Sequence, residues 1–128
     1  MAEEIRKRLT ALGVDTDAGL RQVDEALYLK ELNAFLKGRE FLCLGQSIVH
    51  RQWGAAFAAY RKLDAGCERF GLTGMRHILR QLKSALQMEN LSGAQQVLTL
   101  LTQKRVQLRN LLADHFAEQN RENGAMEK

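Results

Sequence analysis

His50, His77 and His115 are the three imidazoles of this chain, and Cys43 and Cys67 are its two thiols. An imidazole can offer a nucleophilic nitrogen, take up a proton or bind a metal, and a thiolate can do the same work. Metal binding on one helix needs ligands about one turn apart, as in a His-x-x-x-His pair, and no two of these residues stand at that spacing. His50 falls where a helix should end, which suits a surface or capping residue. His115 continues an apolar helical face, which suits a partly buried structural ring. His77 lies opposite a leucine stripe and should face solvent, as a phosphoryl or proton acceptor must. A second constellation is Arg61, Asp64, Ala65 and Glu68, which share one side of a helix at steps of three and four. A guanidinium there offers five donors and no nucleophilic lone pair, so the cluster can pair charges or dock a partner.

These side chains must be positioned by helices. The sequence has no proline, and nothing in it deletes a backbone donor inside a long helical run. A short helix over residues 2–12 ends at Gly13. Asp15 and Asp17 supply acceptors for a short helix or turn through Val23, and Asp24 caps the next helix. Leu27, Leu32, Phe35 and Leu36 are its expected apolar set before Gly38 stops it. A further helix carries Phe41, Leu42, Gly45, Ile48 and Val49 on its apolar side. Trp53 opens another, with Ala56, Phe57, Tyr60, Leu63, Cys67 and Phe70 inward, and Gly71 permits a tight reversal. Leu72, Met75, Leu79, Leu82 and Leu86 advance in helical steps. Asn90 caps a final helix with Val97, Leu98, Leu101, Leu108, Leu111 and Leu112. No alternating β-branched run or hairpin turn appears. The spacing predicts an all-α fold, an antiparallel up-and-down four-helix bundle with additional short N-terminal helices. Residues 1–120 form its one domain, and 121–128 a flexible polar tail.

Composition narrows the function classes. The chain has 128 residues, enough for one core. No apolar run approaches the roughly 20 residues that cross a bilayer, and the opening Met-Ala-Glu-Glu lacks the apolar segment of a signal peptide. A cytoplasmic protein without membrane partners is expected. Both cysteines fall in apolar helical patterns, so both are expected as buried free thiols. The net charge of +4 comes from 19 basic and 15 acidic residues that are scattered along the chain. Without a basic stripe, a glycine-rich loop or base-stacking aromatics, nucleic acid is not an expected partner.

One stretch carries a family pattern. Trp53-Gly-Ala-Ala-Phe-Ala-Ala-Tyr-Arg61-Lys-Leu63-Asp64-Ala65, continuing to Gly71, resembles the central helix of histidine phosphotransfer (HPt) domains. In that family a tryptophan leads, eight residues on, into Ala-His-x-Leu-Lys-Gly, and a glycine follows ten residues after the histidine. Trp53, Leu63 and Gly71 keep this register. Arg61 occupies the acceptor position, with Asp64 for the lysine and Ala65 for the glycine. Gly13-Val-Asp15-Thr-Asp-Ala-Gly19-Leu20, Glu25-Ala-Leu-Tyr28 and Gly71-Leu-x-x-Met75 are similar to further family elements, across residues 11–112. The link near Val23-Asp24 is shorter than the family's.

The resemblance implies a receiver or histidine-kinase domain of a two-component system as partner. It also implies a bundle that needs no cofactor or metal. Arg61 cannot act as phosphoacceptor, and Asp64 repels the phosphoryl group that the family's lysine attracts. The expectation is therefore a monomeric, non-catalytic HPt-like interaction module whose candidate docking face is Arg61, Asp64, Ala65 and Glu68. Arg61 and Asp64 are expected to pair, and Arg76, Arg80 and Lys83 to face Asp64 and Glu68. One alternative is active transfer through His77, because His77-Ile-Leu-Arg80 resembles the His-x-x-Arg of sensor-kinase helices. Another is a helical adaptor with an unrelated protein partner.

Overall fold

The computed structural model describes the backbone of residues 1–126 and the side chains through Glu122. It is all-helical, with no strand among the described residues: α1 Glu3–Ala11, α2 Thr16–Leu20, α3 Glu25–Leu36, α4 Arg39–Val49, α5 Trp53–Phe70, α6 Thr73–Gln87 and α7 Leu91–Met126. Glu3 and Glu4 in the first turn of α1 and Arg8 in its last oppose the helix dipole. The side chains of Asp15, Asp24 and Asn90 accept backbone N–H bonds at 3.1 Å and start α2, α3 and α7.

Packing follows the apolar stripes. α4 packs on α5, α5 on α6, α6 on α7, and α4 also on α7. Between them lie Leu44, Ile48, Ala56, Leu63, Leu79, Leu82 and Leu101, each at most 1% exposed. At 36 residues, α7 runs about 54 Å, far past the end of α6, and its later turns are covered by α3 and α1. Leu108 and Leu112 are buried on that extension, with Phe116 partly so.

Four links use one backbone device. Gly13 has φ +83°, Gly71 φ +72°, Arg51 φ +56° and Glu89 φ +53°. In each case the next residue's N–H returns to a carbonyl five residues back: Val14 to Leu9 at 3.1 Å, Leu72 to Cys67 at 2.8 Å, Gln52 to Ser47 at 2.8 Å, Asn90 to Ala85 at 2.9 Å. This is the left-handed helix ending that glycine favours; two of the four are built without it.

The N-terminal segment is fastened to the α5–α6 turn. The Asp15 N–H donates to the Gly71 carbonyl at 2.7 Å, and the Gly74 N–H and the Thr73 hydroxyl both donate to the Gly13 carbonyl at 2.9 Å. The Tyr28 hydroxyl donates to the Phe70 carbonyl at 2.6 Å, with the Tyr28 and Phe70 rings edge to face at 5.9 Å. Gly19 sits where a Cβ would lie 2.5 Å from the Phe70 carbonyl oxygen and 2.6 Å from the Tyr28 ring. Gly13, Asp15, Gly19 and Tyr28 are thus one joint.

Several expected side chains lie elsewhere. On α3 the buried register is Tyr28, Leu32 and Leu36, and Leu27 is 45% exposed. Tyr28 is in step with Leu32 and Leu36, and its hydroxyl finds a carbonyl; Leu27 is one position out of step. On α4 the buried set is Phe41, Leu44, Ser47 and Ile48, and Leu42, Cys43 and Val49 are exposed. Both stripes of α4 are apolar, and α5 takes the one that includes the small Ser47. Cys67 is buried as expected. The polar tail expected from residue 121 continues α7 to Met126, and residues 127–128 lie outside the described residues.

Phe57 is half-buried, beside Tyr60 at 5.4 Å and beneath Arg61. Phe57→Ala should therefore cost ~1–2.5 kcal/mol, below the ~3–5 kcal/mol of a fully buried phenylalanine. Urea titration checks this, and a loss above that range would place the ring inside the core.

Alkaline stability has a stated direction. Burial, then the Asp15 charge, pushes the Tyr28 hydroxyl from 10.0 up to about 12, and burial, then the Asp64 charge, pushes the Cys67 thiol from 9.0 up to about 12. The fold keeps both groups neutral, so their contribution is whole below pH 9 and is lost as pH rises towards about 12. The urea midpoint should fall across that window, and Tyr28→Phe should flatten its upper part. A midpoint constant over the window would contradict it.

Candidate interaction face on α5

Arg61, Ala65 and Glu68 are exposed along the middle of α5, and Asp64 beside them is half-buried. All four share the side opposite Leu63, Cys67 and Phe70, as the helical spacing requires. The expected Arg61–Asp64 pair does not form. Helical side chains lean towards the N-terminus, so the Arg61 guanidinium lies back over the Phe57 ring, 4.9 Å from its centroid. That contact is a cation–π arrangement within one turn of helix.

Asp64 is engaged from α6 instead. Arg76 Nε donates to Asp64 Oδ1 at 3.0 Å, and Arg76 Nη2 stands 3.7 Å from Glu68 Oε2. The hydrogen bond to Asp64 holds the Arg76 guanidinium above its ordinary range, with the Asp64 and Glu68 charges adding to it. Of the three basic residues expected to face this cluster, Arg76 does so. Arg80 and Lys83 are exposed and pair with no carboxylate among the described residues. Lys62, on the flank, reaches Glu40 of α4 at 3.6 Å.

The face is therefore a ridge with alternating charge. Arg61 lies over an aromatic ring, the acidic pair is clamped by one arginine, and Ala65 leaves a low point between them. No side chain on it can take a phosphoryl group through an imidazole nitrogen. His77 is exposed on α6 and shares a shallow depression with Thr73, Arg76 and Arg80. His50 is the exposed C-cap residue of α4, and the half-buried His115 stacks edge to face on Phe116 at 5.7 Å. The three imidazoles are on separate helices and do not converge.

Two contributors to the face were not evident as such in the sequence. Phe57 belongs to the apolar pattern, yet it also serves as the platform for Arg61. Gly66 is needed behind the face, because a Cβ there would lie 2.2 Å from the Phe35 ring packed against α5. Glycine inside a helix at a close approach was the available signal.

Compared with protein-family models, curated proteins and solved structures, the chain matches none.

Proposed function

We propose that this chain is a non-catalytic, HPt-like interaction module that binds a receiver or histidine-kinase domain through the α5 face. In this reading α4–α7 make an antiparallel up-and-down four-helix bundle, and α1–α3 are its N-terminal additions. The observation that carries it is the state of position 61. An arginine is exposed at the middle of α5, in register with Trp53 and Gly71, where the family pattern has its phosphoacceptor. Three features give support: the unbroken helix from Trp53 to Phe70, the left-handed Gly71 after it, and the joint through Gly13, Asp15 and Gly19. Arg76 neutralises part of the Asp64 charge, so the face can meet a partner's mixed-charge surface without a buried unpaired carboxylate.

Incubation with a panel of phosphorylated receiver domains tests the proposal. The expected result is no phosphate on this chain, together with binding of at least one receiver that Ala65→Trp weakens about tenfold or more. Acid-labile phosphate on the unmodified protein, lost in His77→Gln, would overturn it in favour of transfer through His77. Receiver binding unaffected by Ala65→Trp would remove α5 as the docking face.

A further inference from the structure

The apolar surface of α4 has a second side that nothing among the described residues covers. Leu42 is 61% exposed and Val49 58% exposed, both far beyond what a core-facing stripe would leave. Seven residues apart, they stand two helical turns from each other, about 10 Å. Gly45 lies between them with no side chain, and the nearest atom to a Cβ built there is Leu98 Cδ2 of α7 at 3.7 Å. With Leu98 as the opposite wall, the result is a groove of about 390 Å³ running between α4 and α7. A contiguous apolar strip of this kind marks an interaction site more often than isolated exposed leucines do. Its two-turn spacing matches the ridge of an amphipathic helix.

Charge selects among occupants. Among the described residues, the ionisable groups lining the groove are His50 and Arg105, and no carboxylate lines it. Arg105 Nε donates to the Leu36 carbonyl at 2.6 Å, and its guanidinium lies 4.6 Å over the Phe41 ring. Among the described residues it pairs with no carboxylate, and burial together with the nearby Arg109 disfavours its charge. A second copy of the chain, placed groove to groove, would bring a second His50 and Arg105 from its own groove lining and no carboxylate. An incoming carboxylate would instead supply the missing counter-charge.

We propose that the groove between α4 and α7 is a docking site for an amphipathic helix of a partner protein, one that seats an apolar ridge between Leu42, Val49 and Leu98 and brings an acidic side chain to Arg105. The site is separate from the α5 face and does not depend on the HPt-like reading.

Two stapled helical peptides test it. Both carry leucines at i, i+4 and i+7; one has glutamates flanking that ridge and the other glutamines at the same positions. The full chain is titrated with each and followed by amide chemical shifts. The acidic peptide should bind about tenfold more tightly than its glutamine counterpart, with shifts centred on Leu42, Gly45, Val49 and Leu98. Leu42→Asp with Val49→Asp, both at exposed positions, should abolish binding while the helical circular dichroism is kept. Arg105→Gln should reduce the preference for the acidic peptide to about twofold or less. Equal binding of the two peptides, shifts centred elsewhere, or no binding of either overturns the proposal. So does concentration-dependent self-association that Val49→Asp removes, which would assign the groove to a second copy.

Discussion

Gly71→Ala should cost about 3 kcal/mol or more, the largest stability loss expected from adding one methyl group to any of the described glycines. The left-handed backbone at Gly71 charges any L side chain ~1–2 kcal/mol. Here a Cβ would also lie 2.0 Å from the Asp15 carbonyl oxygen, a backbone atom held in place by the 2.7 Å bond from the Asp15 N–H to the Gly71 carbonyl. Relief requires α1–α2 to move off the α5–α6 turn, which also breaks the bonds to the Gly13 carbonyl. Gly54→Ala is the control. Nothing lies within 4 Å of a Cβ at that position in the first turn of α5. The change there should be neutral or stabilising by up to ~1 kcal/mol. Urea denaturation of both variants separates a local clash from a general effect of glycine replacement. A Gly71→Ala protein within 1 kcal/mol of the parent would show that the joint yields without cost.

On the proposed HPt-like reading, Arg61→His alone should confer little phosphate acceptance, whereas Arg61→His with Asp64→Lys and Ala65→Gly should confer measurable transfer from a phosphorylated receiver. An imidazole at position 61 would have its nucleophile, but the neighbouring acid at plus three would still oppose the incoming phosphoryl group. The Arg76 clamp softens that opposition without removing it, because Arg76 is shared between Asp64 and Glu68. Asp64→Lys inverts the local charge and leaves Glu68 as the carboxylate facing Arg76. It also puts a lysine beside Arg76, so the triple variant should be somewhat less stable than the parent. Acid-labile radiolabel on the chain is the readout. Equal labelling of the single and triple variants would mean that Asp64 has no electrostatic role. No labelling of either would count against the HPt-like register of α5.

Periodicity and punctuation determined a good deal of this molecule by themselves. The apolar steps of α5, α6 and α7 named nearly all of their buried residues, because a stripe flanked by charges has one low-energy way to face a core. Asp15, Asp24 and Asn90 marked helix starts through short-range acceptors, and Gly13, Gly38 and Gly71 marked stops. Arg61, Ala65 and Glu68 could be placed on the solvent side because their helix had one unambiguous inner face.

Tertiary structure decided the remainder wherever local chemistry allowed two answers. Nothing local distinguishes the two apolar stripes of α4; only packing against α5 turned Phe41, Leu44 and Ile48 inward and left Leu42 and Val49 lining a groove. Tyr28 displaced Leu27 because a hydroxyl acceptor lies 42 residues away, at Phe70. Arg51 and Glu89 adopt left-handed turns that no glycine announces, which neighbouring helices impose by fixing where the chain must go. The partner of Asp64 was settled in the same way. Both Arg61 and Arg76 could have reached it, and the N-terminal lean of helical side chains took Arg61 to Phe57 and left Asp64 to a residue on another helix.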